Sequence, residues 1–176
     1  MVSQTGAPTT ISMKEDALFT QASERDLVFR RLQPDDFEKG FLEVLKGLTK
    51  VGDTTKHAFM ERFDKLFPRL SDIYKIIVIE DVRNQKIIGA GSVIIESKFI
   101  RDLGLCGHIE DIVVNKSYRG KNLGRRIIEL LKLIAEVNGC YKVILDCSEQ
   151  NVPFYEKCGF KKKEVEMAWY VNQPKL

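Results

Sequence analysis

The chain has 176 residues, 44% of them hydrophobic and 30% charged, and its net charge is +3. That length fits one domain with enough apolar material for a core. The charge is too evenly balanced for a general binder of nucleic acid or of anionic membranes, although it leaves room for a local basic pocket.

Residues 1–24 are polar and small, without the apolar run of a signal peptide, and are expected to form a flexible extension ahead of a single domain at 25–176. Leu27 to Leu32 predicts a first strand. Pro34, Asp35 and Asp36 then open a helix with acids at its positive end. Phe37, Phe41, Val44, Leu45 and Leu48 recur at helical spacing until Gly52 and Asp53 break the pattern. Thr54 or Thr55 caps a second helix bearing Phe59, Phe63, Leu66 and Phe67, which Pro68 ends. Tyr74–Glu80 and Lys86–Glu96 read as an antiparallel hairpin around a polar turn at Asp81–Gln85. Ile109–Asn115 predicts another strand, and Leu123–Val137 an amphipathic helix. Tyr141–Cys147 follows as a strand and Asn151–Cys158 as a short helix, with Gly159 at its C-cap. Phe160–Tyr170 predicts a last strand. The fold class is α/β (α+β), one mixed sheet with helices against it.

Cys106, Cys140, Cys147 and Cys158 form no C-x-x-C pair, and the chain has only two histidines, so neither a zinc site nor a disulfide framework is expected. His108 has no apparent partner and is read as structural. No stretch approaches the roughly 18 apolar residues of a membrane span, and the chain is expected in the cytoplasm.

The most informative segment runs from the strand at Ile109 through Lys116-Ser117-Tyr118 into Arg119-Gly120-Lys121-Asn122-Leu123-Gly124-Arg125-Arg126. A basic, glycine-bearing loop between a strand and a helix start presents free N–H groups and a favourable dipole to an anion. Gly120 and Gly124 permit close approach, and Arg119, Lys121, Arg125 and Arg126 add charge. This is neither a Walker A loop nor a G-x-G-x-x-G motif, and it predicts a phosphate or pyrophosphate site. Glu110 and Asp111 are adjacent in an apolar strand, so regular alternation points them to opposite faces. A carboxylate there must be solvated or hydrogen-bonded, which suggests that at least one serves a site. Asp146 is open to two readings, as a strand-end cap or as a site residue. Tyr155, beside Phe154, can be core or site.

Arg119 to Gly124 resembles the Q/R-x-x-G-x-G/A loop of the GNAT acyltransferases, with Asn122 where the family often has glycine. Cys106–Val114, Gly139–Cys147, Asn151–Phe160 and Phe41–Gly52 resemble the glucosamine-6-phosphate N-acetyltransferases of that superfamily, colinearly over residues 27–168. The resemblance implies a GNAT-type acyl-CoA N-acyltransferase fold. The reaction it implies is direct transfer from acetyl-CoA to the 2-amino group of D-glucosamine 6-phosphate, within UDP-N-acetylglucosamine biosynthesis.

By the same resemblance Ile112, Val113, Val114, Arg119, Gly120, Lys121, Asn122, Leu123, Gly124, Arg125, Tyr155, Glu156 and Lys157 would hold the cofactor. Thr49, Lys98, Phe99, Ile100, Arg101, Glu110, Asp111, Tyr141, Lys142 and Asp146 would hold the substrate. Glu110 would be the base, Asp146 would orient the amine, and Tyr155 would protonate the leaving thiolate. A β-bulge near Ile112 would aim an N–H at the thioester oxygen. No metal is implied, and the cysteines lack a paired histidine for a covalent route. The family's C-terminal arginine has no counterpart beside Ala168-Trp169-Tyr170. A homodimer exchanging C-terminal strands around Val165–Val171 is also implied. The alternatives are a GNAT enzyme acting on another small amine or a protein amine, and an acyl-CoA-binding module without activity.

Overall fold

The computed structural model describes residues 9–171. They fall into two compact units, one reaching Leu145 and the other beginning at Asp146. The first unit is built on a five-stranded sheet in the order β1 to β5: Leu27–Arg31, Tyr74–Asp81, Lys86–Ser97, Leu105–Val114 and Cys140–Ile144. The first four strands pair antiparallel, and β5 joins β4 in parallel. The helices of five or more residues in this unit are α1 (Thr10–Ala22), α2 (Phe41–Leu45), α3 (Lys56–Leu66) and α4 (Leu123–Val137).

Adjacent strand residues face opposite sides, and both sides of this sheet are covered. Ala90 belongs to a cluster with Phe41, Val44, Phe59, Val78 and Val113, beneath α2 and α3. On its neighbour Gly91, an added Cβ would lie 2.6 Å from Ile112 and 2.7 Å from Ile127 of α4. The apolar stripe of α4 (Ile127, Ile128, Leu131 and Ile134) is buried to within 1% of complete.

Four expected elements differ. The single helix expected from Pro34 is a short 3-10 turn, Pro34–Phe37, followed by α2. Gly40, at φ +83, separates the two, a left-handed conformation that side chains resist. Asp36 turns inward to Arg30 at 2.6 Å and is fully buried, so the turn is anchored by an ion pair as well as by apolar contacts. β4 begins at Leu105 rather than Ile109. Gly107, which interrupts the apolar pattern, sits inside the strand because a Cβ there would press within 3.2 Å of both Val93 and Ala135.

Residues 10–22, expected within a flexible extension, form a helix capped by Thr9, whose hydroxyl accepts from Ser12 N at 3.1 Å. Glu15 fixes it in place. Its carboxylate receives Arg31 at 2.7 Å, Lys75 at 3.0 Å and the Asn138 amide at 2.7 Å.

In the second unit Val152–Lys157 forms α5, and Gly159 follows at φ +87 as the expected C-cap glycine. The expected last strand does not form: among the described residues, 160–170 carry no strand. Among the described residues, no helix is long and apolar enough to cross a membrane.

Candidate functional site

The site in the first unit is set by an irregularity of β4. Ala90 pairs with Val113 and Ser92 with Glu110, so two residues, Asp111 and Ile112, oppose the single Gly91. This is a β-bulge, and Asp111 takes φ +56 within it. The regular alternation from which Glu110 and Asp111 were expected on opposite faces is interrupted here, because the extra residue breaks the period of two; both residues are exposed. The bulge expected near Ile112 is present, formed by Asp111 and Ile112.

The same strand loses its second neighbour. β5 pairs with β4 only as far as His108 opposite Ile144. Beyond that point, among the described residues, no strand pairs with the far edge of Ile109–Val114. Backbone donors and acceptors along Ile112, Val113 and Val114 thus face a gap that an extended ligand can fill.

β4 runs into a 3-10 turn at Lys116–Tyr118 and then into the loop ahead of α4. Gly120 has φ +81 with nothing within 4 Å of its Cβ position. Asn122, where the related loop often has glycine, adopts φ +57, so asparagine serves the left-handed turn. α4 begins with no side-chain cap. The N–H groups of Leu123, Gly124 and Arg125 precede the first intrahelical bond, from Arg126 N to Asn122 O at 3.0 Å. Three uncapped amides at a helix start, with open space over Gly120, form an anion cradle.

Two cations behave differently from expectation. Arg126 turns away to α1, with Nη1 2.6 Å from Glu24, Nη2 2.7 Å from Ala22 O, and its guanidinium over Phe29. Arg119 folds back so that Nε lies 3.4 Å from Val114 O. Lys121 stacks on Tyr118, and Arg125 is exposed. Tyr118 is itself fixed, because its hydroxyl donates to Asp81 at 2.6 Å. That bond holds the phenol above its ordinary pKa and the Asp81 carboxyl below its own. Sequence reading missed the Asp81–Tyr118 tie, since 37 positions separate the pair.

Of the expected substrate cations, Lys98 and Arg101 lie between β3 and β4, and Lys142 lies on β5 opposite Cys106. Lys98 Nζ lies 2.5 Å from Glu96. Arg101 and Tyr141 meet over Gly104, whose Cβ position is within 3.2 Å of atoms of both. Lys142 stacks on Tyr141 at 5.8 Å. Burial pushes the Cys106 thiol up, against the pull of Lys142 and Lys98. Phe99 and Ile100 project from the segment between β3 and β4, 95% and 65% exposed. Thr49 is exposed in the loop after α2, two residues beyond Gly47, which rests on Val113. His108 has a partner after all: Glu96, on the neighbouring strand, lies 2.8 Å from Nε2.

Asp146, Tyr155, Glu156 and Lys157 belong to the second unit. β5 ends at Ile144, so Asp146 lies beyond the strand and is exposed. Tyr155 packs between Phe154 and Phe160, at ring separations of 5.0 and 6.2 Å. Burial first, then the neighbouring Cys147 and Cys158, raise its pKa, so the phenol keeps its proton at neutral pH. Two surface hollows elsewhere, of about 530 and 460 Å³, the first lined by residues between Pro34 and Lys39 with Lys56, Met60 and Gln85 and the second by residues between Phe37 and Thr55, include none of the expected site residues.

A strand with a bulge and an unpaired edge, leading into an uncapped helix start, fits a ligand with an extended polar arm and a diphosphate. The acetyltransferase (GNAT) family model matches residues 47–160. The chain is 57% identical over 146 residues to glucosamine 6-phosphate N-acetyltransferase 1 of Dictyostelium discoideum, covering 83% of this chain and 92% of that one. It is 46% identical to glucosamine 6-phosphate N-acetyltransferase of Arabidopsis thaliana, covering 81% and 95%. The crystal structure of glucosamine-6-phosphate N-acetyltransferase from Arabidopsis thaliana superposes with a TM-score of 0.80 at 44% identity, over 83% of this chain and 99% of that chain. The chain belongs to the acetyltransferase (GNAT) family and, within it, to the glucosamine 6-phosphate N-acetyltransferases.

Proposed function

We propose that this chain transfers the acetyl group of acetyl-CoA to the 2-amino group of D-glucosamine 6-phosphate, giving N-acetyl-D-glucosamine 6-phosphate and CoA. The observation that carries the reading is the bulged, one-sided end of β4 feeding the uncapped amides of Leu123–Arg125, joined to the 57% identity with a relative of that name. The diphosphate would rest on the loop of Arg119–Gly124, with Arg125 beside it. The backbone of Ile112–Val114 would pair with the pantetheine arm as an added strand.

The substrate amine must lose a proton before attack, and Glu110 is the assigned base, with Asp111 and Asp146 orienting the sugar. Lys98, Arg101 and Lys142 supply charge for the sugar phosphate, with Thr49, Phe99, Ile100 and Tyr141 around it. Attack on the thioester carbonyl breaks its C–S bond, and Tyr155, flanked by Glu156 and Lys157, protonates the departing thiolate. A raised phenol pKa supports that role. We take residues 25–176 as one catalytic domain, since the matched region 47–160 spans both units. We place the reaction in the cytoplasm and in amino-sugar metabolism. The placement accords with four cysteines that no disulfide joins.

The test is thiol release from acetyl-CoA with glucosamine 6-phosphate against glucosamine. The sugar phosphate should win by at least roughly a hundredfold in kcat/KM, as expected when charged site groups lose their partner. Equal rates would reject the phosphate site and favour another small amine. In the same assay Tyr155→Phe should lower kcat by about a hundredfold, the lower range for general acid catalysis. Undiminished turnover would remove its acid role.

A further inference from the structure

We infer that Glu96, Cys106 and His108 form a binding site for a thiophilic divalent cation of the zinc or cobalt class, on the sheet face beside Lys98. Cys106 and His108 are two apart on β4, and Glu96 stands opposite Cys106 in the antiparallel ladder. Residues two apart on one strand share a face, and a third on the next strand closes a triangle around a point above the sheet. The thiol sulfur, a ring nitrogen and a carboxylate oxygen lie within 4.8 Å of one another. Donors around a tetrahedral zinc stand roughly 3.3–3.6 Å apart, as follows from bonds of about 2.0–2.3 Å. Small side-chain rotations at Glu96 and His108, both partly exposed, bridge that difference.

The chemistry of the three groups balances. A thiolate, a carboxylate and a neutral imidazole together neutralise a divalent cation, with a fourth position left for water. Sulfur and imidazole donors favour zinc or cobalt over magnesium or calcium. Binding costs three rearrangements, the first being loss of the hydrogen bond between His108 Nε2 and Glu96 at 2.8 Å. Cys106 gives up its thiol proton to solvent, its sulfur now making only a long 3.9 Å approach to Gly107 O. Lys98 releases Glu96, which it holds at 2.5 Å. Lys98 is therefore the built-in competitor of the cation, and its removal should strengthen the site. The spacing rules of C-x-x-C and H-x-x-H motifs miss this cluster, because two of its ligands follow strand spacing and the third lies across the ladder.

The test is a cobalt(II) titration of the full, untagged chain with a non-thiol reductant, followed by the near-ultraviolet thiolate-to-cobalt band; it needs no acetyl transfer. The band should saturate at one cobalt per chain and disappear when zinc is added. It should vanish in Cys106→Ser and persist in Cys147→Ser. Glu96→Gln and His108→Ala should each weaken binding by about tenfold or more, and Lys98→Met should tighten it. Should Cys106→Ser fail to fold, the two partly exposed ligands carry the test alone. A chain that gives no thiolate band overturns the proposal, as does a band that survives Cys106→Ser or an affinity unmoved by both Glu96→Gln and His108→Ala.

Discussion

Tyr118 shows how a residue outside the ligand's reach can set a site. Its hydroxyl bond to Asp81 crosses from the loop before α4 to the end of β2, and Asp81 is held in turn by Arg83 N, Asn84 N and the Asn84 amide. The loop of Arg119–Asn122 starts from a tyrosine that cannot drift. Tyr118→Phe removes a hydrogen bond to a charged acceptor, worth about 1.5–3 kcal/mol. The KM for acetyl-CoA should rise by roughly tenfold with kcat nearly unchanged, since the lost contact orders the loop and not the reacting atoms. Steady-state kinetics check this. An unchanged KM would show that the loop is held by other means.

At the scale of elements, α1 is the addition that sequence reading passed over. Its stripe is weak, with Phe19 as its buried apolar residue, and it is fastened through Glu15. Burial works against the Glu15 carboxylate, but Asn138, Arg31 and Lys75 together outweigh it and hold the pKa below the usual 4.5. A depressed acid stabilises the fold above its unfolded pKa, and that contribution is lost as pH falls through the lower native value. Glu15→Gln should cost about 3 kcal/mol at neutral pH, because Arg31 and Lys75 would face an uncharged partner. In thermal melts followed by circular dichroism, the gap between the two chains should narrow below about pH 4.5. A gap independent of pH would show that the amide alone disturbs the packing. Such ties explain what was legible. α3, α4, the hairpin and the glycine after α5 follow from local periodicity and turn chemistry. The bulge at Asp111, the turn of Arg126 toward α1 and the Glu96–His108 pair depend on strand register and on partners far along the chain. No local pattern encodes them.

At the scale of the molecule, residues 160–171 carry an apolar pattern without a strand to join. Val165, Met167, Trp169 and Val171 are 70–90% exposed and alternate along the chain, as a half-buried strand would. The homodimer with exchanged C-terminal strands is our proposal for what covers them. Sedimentation should give twice the 20.2 kDa of the chain, and the emission of Trp169, the only tryptophan, should shift to the blue on assembly. A stable monomer with full activity would refute the exchange.

The proposed chemistry depends on where coenzyme A binds. A crystal structure of the chain with CoA and glucosamine 6-phosphate decides it. The diphosphate should lie on the amides between Gly120 and Arg125, with the pantetheine paired with Ile112–Val114 and the sulfur directed to Tyr155. A diphosphate bound away from the start of α4, or a pantetheine that leaves the edge of β4 unpaired, would contradict it.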